Sequence, residues 1–266
     1  MTDQDDLHVA DTGEGIPVVL LHGLTATHRY VVMGSRALER SGHRVVAYDA
    51  RGHGRSQPAP DARAYGYEEL VGDLAAVLDG RGIDRAVLAG ASMGAHTALR
   101  FALEQPERVA GLVVVTPAYE PASHGDARSL ARWDALAAGL RSGGVEGFVA
   151  AYGDPQVPEA WRDTVLTVLR QRLSAHEHPG AVADALEAVP RSRPFAGLGD
   201  LTAIAVPTVV VADRDEADPG HPLAVGEAYA RVIPGARLVV EEEGKSPIAW
   251  QGGQLSRIIA EVAERA

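Results

Sequence analysis

The segment Gly90-Ala91-Ser92-Met93-Gly94 follows an apolar, β-forming run and precedes a helical period. A strand that turns straight into a helix forces the serine between them into strained backbone geometry, and the flanking positions must then lack side-chain bulk. The turn lifts Ser92 Oγ clear of the sheet, at a helix N-terminus whose dipole favours developing negative charge. A serine so placed is suited to attack an acyl carbon. His22-Gly23-Leu24 closes the first apolar run, which would bring the backbone N–H of Leu24 beside that of Met93. Two such donors aimed at one point form an oxyanion hole for a tetrahedral acyl intermediate. His22 reads as a structural loop residue. With 29 glycines in the chain, G-x-S-x-G alone is weak, and its specificity comes from the strand–turn–helix context.

The elements that must position these groups are legible as an alternation. Short apolar runs at Pro17–Leu21, Arg44–Tyr48, Arg85–Ala89 and Gly111–Val115 read as strands buried on both faces of a parallel sheet. Between them Leu70, Val71, Leu74, Val77 and Leu78 form a helical stripe ended by Gly82, as a helix C-terminus requires. From about Tyr119 to Leu201 the pattern is helical only, with stripes at Leu130/Trp133/Leu136/Leu140, Val145/Phe148/Val149/Tyr152, Trp161/Val165/Val168/Leu169 and Val182/Leu186/Val189. The rhythm then resumes with a strand at Val206–Ala212, a helix from about Leu223 to Val232, a last strand at Ala236–Val240 and a closing helix at Gln254–Arg265. The expected fold is α/β: a mostly parallel, doubly wound sheet (1–118 and 202–266) with a helical cap inserted at 119–201. Right-handed βαβ units give such a sheet, and ligands bind where its carboxyl-edge loops gather.

Together with Leu21-His22-Gly23-Leu24, Asp49-Ala50-Arg51-Gly52-His53-Gly54-Arg55-Ser56, the Ser92 turn and the strand Val206–Val211 with its acidic loop, the chain resembles the α/β-hydrolase fold superfamily, in its capped bacterial branch of esterases, cofactor-free haloperoxidases and carbon–carbon hydrolases. The resemblance implies that His53 is structural. It also implies a catalytic acid in the loop Asp213-Arg214-Asp215-Glu216-Ala217-Asp218, where alignment on the strand's end favours Asp215, with Asp218 and Asp213 as alternatives. After the last strand the family carries a Gly-His pair, and this sequence reads Gly244-Lys245-Ser246-Pro247. Lys245 thus stands where the base is expected.

A lysine is a poor substitute unless its surroundings retune it. Presenting it neutral at pH 7, from a reference pKa of about 10.4, costs roughly 4.6 kcal/mol. Burial lowers a lysine pKa, whereas a nearby carboxylate raises it. Three readings follow. Lys245 works with Ser92 and Asp215 in a modified, cofactor-free serine hydrolase acting on a small to medium carboxylic ester or related acyl compound. Or the pocket persists without hydrolysis, as a protein that binds a small ligand under the cap. Or another group serves as base: His221, six residues after Asp215, or His96, one helical turn beyond Ser92. The plain structural readings of these two are an exposed Gly-His-Pro loop for His221 and helix packing for His96.

Composition limits the partners. A net charge of −11 speaks against nucleic acid or an anionic membrane surface as the main partner, leaving a small-molecule substrate or ligand. The chain has no cysteine, hence no disulfide, thiol nucleophile or thiolate metal site. The polar, acidic start Met1–Asp6 and the lack of any long apolar stretch lead to the expectation of a cytoplasmic protein. No Walker loop, dinucleotide fingerprint or metal-ligand helix motif occurs, so neither cofactor nor metal is expected. His176-Glu177-His178 reads as a solvated cap loop.

Overall fold

The structure is a computed structural model and describes residues 6–244 and 252–266. Its seven-stranded sheet runs β1 (Val9–Thr12), β3 (His43–Tyr48), β2 (Ile16–Leu21), β4 (Ala86–Ala91), β5 (Val109–Val115), β6 (Thr208–Ala212) and β7 (Arg237–Val240) across its width. All neighbours are parallel except β1, which pairs antiparallel with β3. Every residue of β5 is buried, as a central strand covered by helices on both faces requires. Helices α2 (Tyr67–Gly80), α3 (Met93–Glu104) and α7 (Leu223–Val232) lie against one face, and α1 (Ala37–Arg40) and α8 (Gly252–Ala263) against the other. The strand–helix alternation is therefore as the sequence implies. β1 was not expected: Val9-Ala10-Asp11-Thr12 is partly exposed and carries no apolar run, so nothing but its partner β3 defines it.

Between β5 and β6 lie α4 (Ala127–Tyr152), α5 (Glu159–Leu173) and α6 (Pro179–Ala188), matching the four helical stripes. The first two stripes share α4, which is interrupted at Gly144 (φ +59°). There the chain folds back so that Gly139 and Gly147 touch backbone to backbone, with no room for a Cβ at either. Leu136, Leu140, Phe148, Leu173, Val182 and Leu186 form a third apolar cluster, which also takes in Leu24, Tyr67, Leu70 and Met93 from the sheet's carboxyl edge. The inserted helices are thus packed onto the residues that surround Ser92. Among the described residues no helix is long and apolar enough to cross a membrane.

Candidate active site

Ser92 joins β4 to α3 with φ +50° and ψ −111°, a strained conformation for a residue bearing a Cβ. The sequence permits it because its neighbours are minimal. A Cβ at Gly90 would run into the Gly94 carbonyl, and one at Gly94 into the Leu21 carbonyl. Leu24, Ser92 and Met93 line one cavity of about 170 Å³, walled on the insertion side by Leu130, Trp133 and Val189. The N–H groups of Leu24 and Met93 have no partner among the described hydrogen bonds, and Gly23 packs against Ser92 Cβ. Both residues expected to supply oxyanion donors therefore line the cavity of the serine with their N–H groups unengaged among the described residues.

Among the described residues, the side chains brought to Ser92 are His221 and Asp218, the alternatives to Lys245 and Asp215. His221 Nε2 lies 2.9 Å from Ser92 Oγ, and His221 Nδ1 lies 2.7 Å from Asp218 Oδ2. The ring is only 26% exposed and Asp218 32%, so His221 does not sit in an open loop. Local chain geometry explains the pair. Asp218-Pro219-Gly220-His221 is a β-turn closed by His221 N–H donating to Asp218 C=O at 3.1 Å, with proline at its favoured second position. Gly220 N–H also donates to Asp218 Oδ1 at 3.2 Å, fixing the carboxylate beside the ring. Asp215, the expected acid, is instead committed to α7, where its Oδ1 accepts from the first helical N–H, that of Leu223, at 2.7 Å. Lys245 lies outside the described residues. His96 is buried and otherwise engaged: Nε2 accepts from Ala118 N–H and Tyr119 N–H, each at 3.2 Å, and Nδ1 meets Tyr67 Oη at 3.1 Å.

Electrostatics match an acid–histidine–serine chain. Burial alone lowers the His221 pKa, but the charge and hydrogen bond of Asp218, with Asp213 adding to them, outweigh it and leave the ring above its ordinary 6.5. For Asp218, burial raises the pKa, yet the charge and hydrogen bond of His221, Gly220 N–H and the Arg172 guanidinium bring it below the usual carboxylate range. Burial pushes His96 down to about 3, keeping it neutral as an acceptor.

The remaining motif residues hold the loop from Asp49 to Ser56 in place. Arg51 makes a two-pronged ion pair with buried Asp73 of α2, at 2.7 and 2.6 Å. Asp49 accepts from His28 N–H and Arg55 N–H, at 2.8 and 3.1 Å. Among the described residues, His8, His28 and Asp49 bring metal-type ligand atoms within 4.8 Å of one another. His28 Nδ1 also lies 2.8 Å from Asp49 Oδ1, and each Asp49 carboxylate oxygen already accepts a backbone N–H. His53 is buried and spans Arg51 C=O and Leu24 C=O at 2.9 and 2.8 Å, in keeping with a structural role. His176, expected in a solvated loop, is 9% exposed and packs edge-on against the His53 ring.

The comparisons with known proteins agree with the architecture. A model of the alpha/beta hydrolase fold family matches residues 16–252. The putative carbamate hydrolase RutD of Variovorax paradoxus is 33% identical over 205 residues, covering 77% of this chain and 75% of that protein. Epoxide hydrolase B of Mycobacterium tuberculosis is 42% identical over 103 residues, 39% of this chain and only 29% of that enzyme. Among solved structures, a thermophilic esterase from Thermogutta terrifontis, with malate bound, aligns with a TM-score of 0.77 and 29% identity over 97% of this chain and 92% of that one. With its mostly parallel sheet, inserted helices and serine turn, the chain belongs to the α/β hydrolase fold family.

Proposed function

We propose that this chain is a cofactor-free serine hydrolase of small to medium carboxylic esters or related acyl compounds, with Ser92 as nucleophile, His221 as base and Asp218 as orienting acid. The observation that carries the reading is the unbroken hydrogen-bonded chain from Asp218 through His221 to Ser92 at a strained strand–helix turn. The likeness to an esterase across nearly the whole chain supports the substrate class. Ser92 Oγ attacks the acyl carbon while its proton passes to His221 Nε2, and Asp218 stabilises the imidazolium through Nδ1–H. Negative charge arriving on the acyl oxygen is met by Leu24 N–H and Met93 N–H. His221 then protonates the leaving alcohol, and a water deprotonated by His221 releases the acid and restores the serine. The inserted helices act as a cap, and their apolar residues Leu130, Trp133 and Val189 favour a partly apolar substrate.

The test is turnover of p-nitrophenyl butyrate together with labelling by a fluorophosphonate, located by mass on Ser92, with Ser92→Ala as the blank. Absence of both would instead favour a ligand-binding protein. A second expectation concerns pH. His221 accepts a proton only when neutral, so kcat/KM should fall as pH drops through its pKa. Because that pKa is raised, the midpoint of the limb is expected above 6.5. A midpoint near 10, where an ordinary lysine titrates, would overturn the assignment of His221.

A further inference from the structure

Three buried histidines face three successive carbonyls of the loop that carries Leu24 N–H, and His22 and His176 donate to two of them. His22 Nε2 accepts from Ala50 N–H at 2.9 Å, which leaves its Nδ1–H to donate to Gly23 C=O at 2.8 Å. His53 Nε2 faces Leu24 C=O at 2.8 Å. His176, from the α5–α6 connection of the cap, accepts from Gly54 N–H at 2.8 Å through Nδ1, so its Nε2–H donates to Thr25 C=O at 3.2 Å. The rings lie side by side, with centroids 5.2 Å apart from His22 to His53 and 5.5 Å from His53 to His176.

Planar peptides turn these contacts into an aiming device. In a trans peptide the C=O and the following N–H point in opposite directions. The plane that His176 holds by Thr25 C=O therefore fixes Ala26 N–H, which donates to Gly23 C=O at 2.9 Å. Gly23 C=O in turn belongs to the plane whose other end is Leu24 N–H. Two rigid planes thus connect a cap side chain to one donor beside Ser92. Burial pushes His176 down to about 4, so at neutral pH the ring is in the neutral form that this pattern needs. Glu177 N–H donates to Gly54 C=O at 2.8 Å, pinning the same stretch of cap to the same turn.

We propose that His176 is a positioning residue for the oxyanion donor Leu24 N–H, so that docking of the cap onto the Gly54 turn assembles the hole. This rests on the serine-hydrolase reading above. The donor to Thr25 and the acceptor for Gly54 are separable by substitution. In His176→Asn the amide oxygen falls near Nδ1 and keeps the Gly54 contact, but no donor reaches Thr25. In His176→Gln the amide nitrogen reaches the Nε2 position and restores that donor.

The experiment measures kcat and KM for p-nitrophenyl butyrate, the rate of fluorophosphonate labelling at Ser92, and thermal unfolding for each variant. His176→Asn is expected to lower kcat and the labelling rate together by about 10- to 100-fold, the scale of a misplaced catalytic donor. KM should change by less than about 3-fold and the pH midpoint should stay in place, since the base is untouched. His176→Gln is expected to recover most of the loss. Glu177→Ala, whose side chain is exposed and pairs at 3.9 Å with Arg55, should match the unsubstituted protein. Full activity in His176→Asn would overturn the proposal. So would equal losses in Asn and Gln variants that track unfolding temperature, because His176 would then only hold the cap. An unsubstituted protein that neither turns over ester nor labels at Ser92 would overturn the serine-hydrolase reading itself, and this proposal with it.

Discussion

Replacing His221 by alanine is expected to lower kcat for an activated ester by roughly four to six orders of magnitude, while Lys245→Ala leaves it within about 3-fold. The asymmetry follows from contact. His221 Nε2 already lies at hydrogen-bond distance from Ser92 Oγ, so its loss leaves the serine proton without an acceptor. Lysine in the same role would also have to be neutral, at roughly 4.6 kcal/mol for an ordinary pKa at pH 7. With a histidine in place, nothing in the reaction requires that expenditure. Because the proton-transfer step is removed rather than binding, KM should change little and the residual rate should lose its dependence on pH near the His221 midpoint. Burst and steady-state kinetics on both variants check this. Collapse of activity in Lys245→Ala with survival in His221→Ala would reverse the assignment.

How much of this was legible in the residues depends on the range of the interactions. β2, β4 and β5 are apolar on both faces, so Val18-Val19-Leu20 and Leu112-Val113-Val114 declare themselves without knowledge of their partners. The serine turn is equally local, since Gly90 and Gly94 are needed by atoms only a few residues away or on the adjacent strand. β1 was not legible because a short edge strand is defined by its neighbour β3. The neighbour of Ser92 was ranked below Lys245 for a different reason. Lys245 drew attention through its place in a family pattern, whereas Asp218-Pro219-Gly220-His221 carries its own signal: a Pro-Gly turn that puts an acid and a histidine three residues apart on one side of the chain. The burial of His176 had no sequence signal, because it depends on Gly54, 122 residues earlier.

The same turn makes Asp218 the sharper test of the acid. Asp218→Asn is expected to reduce kcat by about 10⁴-fold with the fold intact. A carboxylate accepts from Nδ1–H and so holds the lone pair of Nε2 toward Ser92. An amide of the same shape can donate to Nδ1, which moves the ring proton to Nε2 and turns a donor toward the serine. The substitution also removes the charge that raises the His221 pKa, so whatever activity remains should show its acid limb at lower pH than the unsubstituted protein. Asp215→Ala supplies the contrast. It removes the acceptor for Leu223 N–H at the start of α7, which should lower stability by about 1 kcal/mol, as loss of a helix N-terminal acceptor does. In a chain of this size that corresponds to a fall in Tm of about 2–4 °C, with kcat within about 3-fold. If Asp215→Ala instead abolished turnover and Asp218→Asn spared it, the acid would be Asp215 and the Asp218–His221 contact merely a feature of the turn. The reason to expect the opposite is geometric. One carboxylate touches the ring that touches Ser92, and the other is spent on a helix.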